Sequence, residues 1–149
     1  MKIQTKYIGE VEINKEQIIT FPTGIPAFEE EMSFVLYPLE EQSPFLVLQS
    51  TKTVEIAFIL VNPFDYVDNY QVKLQDATKE QLHIEKPEEV ATYVVLTVKE
   101  PFSETTANLQ GPIIINARTN EAKQILMSDS DYTTKHKIFK QAAKTGKGE

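Results

Sequence analysis

The 149-residue chain contains no cysteine and only two histidines, and this scarcity excludes several kinds of chemistry. Without cysteine there can be no disulfide, no thiolate metal site and no cysteine nucleophile. His83 and His136 lie too far apart in sequence to form a spaced pair of metal ligands, so we interpret each as a surface residue. A serine triad would have to recruit one of them by spatial assembly, and no G-x-S-x-G motif supports it.

Glycine and long apolar segments are scarce as well. The five glycines are too scattered for a phosphate-binding loop or a dinucleotide fingerprint. No apolar stretch approaches the ~18 residues needed to cross a bilayer, and residues 1–6 do not resemble a signal peptide. We therefore expect a soluble cytoplasmic protein that is not an enzyme and has no metal, cofactor, membrane segment or small-molecule substrate.

The charged residues are divided unevenly along the chain. Residues 1–134 contain 10 Lys+Arg against 21 Asp+Glu, whereas residues 135–149 contain five lysines and one glutamate. The body is therefore acidic and the tail basic. An acidic body is repelled by phosphate backbones and attracted to basic proteins. This pattern argues against direct binding of nucleic acid and favours a protein partner.

Short runs of β-branched and aromatic residues, separated by prolines, predict a mainly β protein. Eight or more short antiparallel strands would close into a barrel-like or sandwich fold. We expect a single β domain over residues 1–134 and a basic tail over 135–149, starting with a short helix and then disordered. The predicted strands are residues 3–7, 11–13, 18–21, 34–37, 45–49, 56–61, 93–98, 113–116 and 125–127.

Two helical pieces interrupt the strand pattern. The first is predicted over residues 76–83, where Thr78 and Gln81 have the spacing of a capping box. The second is a shorter turn opened by Pro87, because proline is favoured at the first helical position. Neither piece is long enough to form a helical layer.

Two strings that combine a glycine with prolines are the most distinctive part of the sequence: F-P-T-G-I-P-A-F-E at residues 21–29 and T-A-N-L-Q-G-P-I-I-I-N at residues 106–116. They resemble the FliW family of bacterial flagellar assembly factors, whose members have F-x-x-G-I-P-G-F-E and T-A-N-L-x-A-P-I-x-I-N. Residues 44–50 resemble the family's P-F-x-x-L-Q-S segment, and residues 57–63 its A-F-x-x-x-N-P segment. Ala27 and Gly111 stand where the family usually has glycine and alanine.

The resemblance implies a regulatory function. A member of this family would bind flagellin in the cytoplasm. When free of flagellin, it would bind the carbon storage regulator CsrA and relieve the repression of flagellin mRNA. The two strings themselves contain no catalytic residues and set only the backbone shape.

Acidic clusters and aromatic residues in polar loops are the candidate partner-binding residues. Adjacent glutamates usually form a solvated face, but they can also form an acidic docking surface. Loop aromatics act either as plugs of a barrel end or as interface anchors, and we assign Phe64 to the first group. The residues assigned to partner binding are Phe28, Glu29, Glu30, Glu31, Asn62, Tyr66, Asp68 and Tyr70.

Two other classes stay open at this point. A small-ligand-binding β-barrel without a regulatory role would be favoured by a large apolar cavity. A hydrolase would be favoured by a cleft that brings His83 or His136 against a serine and a carboxylate.

Overall fold

The computed structural model describes residues 1–128 and 130–139. In this part of the chain there are eleven β-strands, one α-helix and four 3-10 turns. The strands are β1 (Lys2–Thr5), β2 (Gly9–Glu12), β3 (Ile19–Thr20), β4 (Ser33–Pro38), β5 (Leu46–Ser50), β6 (Ala57–Val61), β7 (Val90–Thr97), β8 (Thr106–Ala107), β9 (Ile113–Asn116), β10 (Glu121–Gln124) and β11 (His136–Lys137). The helix is α1 (Asp76–Gln81), and the turns are Lys15–Gln17, Pro63–Asp65, Pro87–Glu89 and Phe102–Glu104.

Seven of the strands close into a barrel in the order β7-β6-β5-β4-β3-β10-β9 and back to β7. The neighbours are antiparallel except for β3 and β10, which are parallel. The first half of β7 pairs with β9 and its last two residues pair with β8, to which β11 adds. The mainly β, barrel-like fold predicted from the sequence is confirmed.

The interior of the barrel is filled by apolar side chains. Phe21, Phe34, Leu48, Leu60 and Ile113 are almost completely buried in one cluster. The rings of Phe21 and Phe34 meet edge to face with their centroids 5.2 Å apart. Full burial of one such side chain contributes roughly 1.5–3 kcal/mol, so this cluster is a main source of stability.

The β1–β2 hairpin lies outside the barrel and packs through Ile3 against Val35. The buried side chain of Gln49 joins the two parts. Its Oε1 accepts a hydrogen bond from the Lys6 N–H (2.9 Å), and its Nε2 donates to the Val54 carbonyl (3.0 Å). Gln49 belongs to the L-Q-S segment singled out in the sequence, and its amide explains why a polar residue occupies this buried position.

The structure corrects the strand predicted over residues 125–127. The strand is β10, Glu121–Gln124, which pairs with β9 from Glu121 opposite Asn116 to Gln124 opposite Ile113. The N–H of Ile125 still donates to the Pro112 carbonyl (3.0 Å). Because Pro112 has no N–H to return the bond, the regular ladder is interrupted at this point, although the Met127 N–H still donates to the Gln110 carbonyl (2.8 Å).

The helix begins at Asp76 as predicted and ends at Gln81, two residues before the predicted end, but its predicted capping is not observed. Helix α1 has Gln75 at its N-cap position with no side-chain cap, and Thr78 is buried inside the helix. The predicted capping box of Thr78 and Gln81 is therefore wrong, because Thr78 faces the protein interior. The turn opened by Pro87 is confirmed.

The basic tail begins as a strand where a helix was predicted from residue 135. His136–Lys137 form β11 and pair with Thr106–Ala107 of β8. Ile138 is buried, and the ring of Phe139 lies 5.0 Å from that of Phe102. These apolar contacts explain why the chain stays extended here. The remainder of the predicted tail, residues 140–149, lies outside the described residues.

Candidate protein-binding surface

The first glycine- and proline-rich string forms a tight turn that fixes the direction of two side chains. Gly24 has φ +73°, and a Cβ at this position would collide with the Glu29 carbonyl. The Phe28 N–H donates to the Ile25 carbonyl (2.6 Å). As a result Ile25 is buried in the core, whereas the side chain of Phe28 is 40% exposed. Ala27 also adopts a left-handed conformation (φ 74°). Glycine adopts this conformation most easily, and glycine is the usual residue at this position in the family that the sequence resembles.

The second string is shaped by two amide side chains. The Oδ1 of Asn108 accepts hydrogen bonds from the N–H groups of Gln110 (3.1 Å) and Gly111 (2.9 Å). The Nε2 of Gln124 donates to the Gly111 carbonyl (2.8 Å). A Cβ on Gly111 would lie only 3.1 Å from the Asn108 Nδ2 and 3.1 Å from the Gln124 Nε2. The absence of a side chain at this position therefore leaves room for both amide side chains.

An open groove of about 310 Å³ lies between these two strings at the barrel surface, and we call it the mouth groove. Its apolar wall includes Phe28, Phe58 and Val95, and its polar wall includes Asn108 and Gln124. The rings of Phe28 and Phe58 pack edge to face at 5.8 Å. Lys135 also lines the groove. The sequence prediction found Phe28 but missed these other residues.

Two exposed carboxylates follow Phe28 directly in the chain. Glu29 and Glu30 are exposed, and neither forms an ion pair with a cation of residues 1–128 and 130–139. The exposed ring of Phe28 lines the mouth groove, whereas the two carboxylates that follow it in the chain are exposed but are not among the residues that line the groove.

Glu31 does not belong to this exposed set, because its side chain is only 8% exposed. The hydroxyls of Ser50 (2.5 Å) and Thr53 (2.7 Å) each donate a hydrogen bond to its carboxylate. Burial raises the pKa of the Glu31 carboxyl. The hydrogen bonds from Ser50 and Thr53 and the charge of Lys52 outweigh that effect, so this pKa lies below its ordinary value of 4.5. The expectation of a solvated or docking role is wrong for Glu31, which acts inside the fold.

The loop of residues 62–70 is more internal than its polar sequence indicates. Tyr70 is only 4% exposed, and its hydroxyl donates to the Leu109 carbonyl (2.7 Å). Burial raises the pKa of the Tyr70 phenol, with Tyr132 adding to the shift. Tyr70 is thus a core residue and not the exposed anchor that was expected.

The other residues of this loop differ in exposure. Asn62 is exposed, and its Oδ1 accepts a hydrogen bond from the Phe64 N–H (2.9 Å), which caps the following 3-10 turn. Phe64 is half-exposed beside Tyr70, so its predicted role as a plug is wrong. Tyr66 is half-buried with its ring against Phe139, and Asp68 is exposed.

The histidines do not form a catalytic arrangement in the described residues. His83 Nδ1 lies 2.7 Å from the Glu121 carboxylate at the surface, and the hydrogen bond from His83 lowers the pKa of Glu121. His136 lies on β11. Within residues 1–128 and 130–139 no cluster of three metal-binding side chains occurs, and no helix has the length and apolarity to cross a bilayer.

Comparison with known proteins identifies close relatives. The family model described as FliW protein matches residues 2–138. The flagellar assembly factor FliW of Geobacillus kaustophilus is 50% identical over 139 residues, which cover 93% of this chain and 96% of that protein. The Bacillus subtilis protein of the same name is 49% identical over 138 residues, with the same coverage. A crystal structure of the flagellar assembly factor FliW superposes with a TM-score of 0.90 at 45% identity, covering 95% of this chain and 99% of the other.

Proposed function

Because the chain belongs to the FliW family of flagellar assembly factors, we propose that it binds flagellin in the cytoplasm and, when free of flagellin, binds the translational regulator CsrA. CsrA held in this way no longer represses flagellin mRNA. Flagellin synthesis then follows flagellin secretion, because secretion releases the protein to bind CsrA. The protein exerts this control through protein contacts, without touching the mRNA.

The observation that supports this proposal most directly is the exposed aromatic ring of Phe28, followed in the chain by two carboxylates that pair with no cation of the described residues. Exposed aromatic side chains next to a pocket are typical anchors of protein interfaces. Uncompensated acidic groups attract a basic partner and accelerate its association. The same groups repel RNA, which supports an indirect action on the mRNA.

Phe28, Glu29 and Glu30 are accordingly the partner-binding residues that we propose first. Asn62, Tyr66 and Asp68 form a second proposed contact, because Tyr66 and Asp68 present a half-buried ring next to an exposed carboxylate.

The proposal is tested by calorimetric titration of the full-length protein with purified CsrA and, separately, with purified flagellin. We expect saturable binding to each partner at micromolar affinity or tighter, which corresponds to at least ~8 kcal/mol. Flagellin added to the complex with CsrA should release CsrA. The absence of heat with both partners, together with failure to co-elute, would contradict the proposed function.

A further inference from the structure

The mouth groove is lined by one positive charge and, among the described residues, by no negative charge. Lys135 is the charged residue of its lining. The nearby Lys137 forms an ion pair with Glu104 (2.8 Å), whereas Lys135 pairs with no carboxylate of residues 1–128 and 130–139. The charge of the lining therefore favours an anionic occupant, although the protein as a whole is acidic.

The polar side chains of the groove offer mainly hydrogen-bond donors. The Oδ1 of Asn108 is used within the protein, and its Nδ2 has no partner in the described part of the chain. Thr97 and Thr134, whose hydroxyls can donate, also line the groove. Gln124 uses its Nε2 on the Gly111 carbonyl and contributes its Oε1 as an acceptor. An ionised carboxylate only accepts hydrogen bonds, so it matches a lining of ammonium, amide and hydroxyl donors.

The apolar wall can cover a short hydrocarbon chain. The ring of Phe28 is ordered by its edge-to-face contact with Phe58 at 5.8 Å, and Ile25 and Val95 extend the same wall. The volume of about 310 Å³ corresponds to roughly ten water molecules, so the groove holds a ligand of about eight to ten non-hydrogen atoms. Hexanoate and octanoate have this size.

We propose that the mouth groove binds a small monocarboxylic acid with a short apolar chain. The carboxylate is bound by Lys135 and the Nδ2 of Asn108, and the chain lies against Phe28 and Phe58. Because the groove is open to solvent, the carboxylate keeps part of its hydration and avoids the full desolvation cost of a buried ion pair. This binding requires no protein partner, so the inference goes beyond the proposed function and does not depend on it.

The central test is the titration of the isotope-labelled full-length protein with sodium hexanoate at pH 7, followed by NMR. We expect saturable shifts confined to the groove, including the side-chain amide of Asn108. The affinity should be millimolar, which is the range for so small a ligand on an open surface. Octanoate should bind more tightly, by up to about fourfold for each additional methylene group that is covered.

The role of the positive charge is tested with K135Q and an uncharged ligand of the same chain length, hexan-1-ol. We expect K135Q to weaken hexanoate binding by about threefold or more and to leave hexan-1-ol binding unchanged. K73Q is the matched control, because Lys73 is exposed, does not line the groove and forms no ion pair within the described ranges. K73Q should bind hexanoate as the wild type does.

The apolar wall is tested with F28A, which should weaken the binding of both hexanoate and hexan-1-ol. Y7A is its control, since Tyr7 is similarly exposed (45%) but does not line the groove. Should F28A fail to fold, the comparison of K135Q with K73Q still decides the proposal, because both lysines are exposed.

Four outcomes would overturn the proposal. The first is the absence of saturable shifts up to about 50 mM hexanoate. The second is equal binding of hexanoate by K135Q and the wild type. The third is binding of the peptide acetyl-Ala-Ala-Leu without binding of hexanoate, because the occupant would then be the end of a polypeptide. The fourth is self-association of the free protein that F28A abolishes, because a second copy would then cover the groove. Titrations with CsrA and flagellin are separate measurements, so the proposed function stands or falls independently.

Discussion

Glu31 connects the first glycine- and proline-rich string to the turn between β5 and β6. Its carboxylate accepts hydrogen bonds from the hydroxyls of Ser50 and Thr53. The Ser50 hydroxyl in turn accepts hydrogen bonds from the N–H groups of Lys52 (3.1 Å) and Thr53 (2.9 Å). One buried acidic residue therefore stabilises both the position of the string and the shape of the turn.

We expect the stabilising effect of Glu31 to depend on pH. The pKa of its carboxyl is lowered in the folded protein, so its contribution is complete above its ordinary pKa of 4.5 and is lost as the pH falls through the lower folded value. At pH 7, E31Q should be less stable than the wild type by about 1–3 kcal/mol, because hydrogen bonds to a charged group are lost. The difference should narrow toward pH 3.

Urea unfolding of both proteins at pH 7 and pH 3 measures this difference. E30Q is the matched control, since Glu30 is exposed and the same substitution should change the free energy of unfolding by less than about 0.5 kcal/mol. A cost of E31Q that is the same at both pH values would show that its carboxylate charge has no part in stability.

Residue-level burial was the least predictable part of the candidate surface. Phe28, Glu29 and Glu30 are exposed as expected, but the neighbouring Glu31 is not. Its partner Ser50 is 19 residues away, and the partner of Tyr70 is Leu109, 39 residues away. The polarity of the neighbouring residues contains no information about such distant partners. The sequence alone therefore predicts exposure for Glu31 and Tyr70, which are buried.

The short helix α1 depends on a side chain of another element. Asn116, the last residue of β9, is completely buried. Its Nδ2 donates to the carbonyls of Leu82 (2.7 Å) and His83 (3.2 Å), and its Oδ1 accepts from the Arg118 N–H (2.9 Å). A six-residue helix is unstable alone, so these bonds at its C-terminal end fix it to the barrel.

We therefore expect N116D to loosen α1. The new carboxylate would face two carbonyl oxygens without a donor, and the buried unsatisfied groups should cost about 3 kcal/mol. Urea unfolding measures the loss, and amide hydrogen exchange should show faster exchange at Leu82 and Ile84, whose N–H groups bond within the helix end. The control is N69D, the same substitution at an exposed asparagine. Wild-type stability and exchange in N116D would disprove the anchoring role.

Elements with a clear hydrophobic pattern were predictable from sequence, whereas β8 and β11 were not. The alternation and β-branched runs identify β4 to β7 and β9 within a few residues. β8 and β11 contain two residues each, too few for any periodicity, and they exist because they pair with each other and with β7. Asn108 and Asn116 were part of the recognised string, but their hydrogen bonds depend on the folded chain.

At the scale of the molecule, β7 joins the closed barrel to an extension. β8 and β11 continue the sheet beyond the barrel, and the chain after β11 returns to the protein through Ile138 and Phe139. The division into an acidic body and a basic tail is evident from the sequence, because counting charged residues requires no knowledge of which residues are in contact. The end of the folded domain was predicted at residue 134 from that division, yet the basic segment begins with residues that pack on the core.

We propose that the folded domain extends to Phe139, and we expect a chain ending at residue 134 to be several kcal/mol less stable than one ending at 139. Ile138 is only 4% exposed in a cluster with Leu96 and Ala107, and truncating a buried isoleucine to alanine alone costs about 2–5 kcal/mol. Thermal and urea unfolding of the two truncated proteins measures the difference. I138A in the full-length chain isolates the buried side chain from the loss of β11. Equal stability of the two truncations would place the boundary back at residue 134 and make the contacts of Ile138 energetically irrelevant.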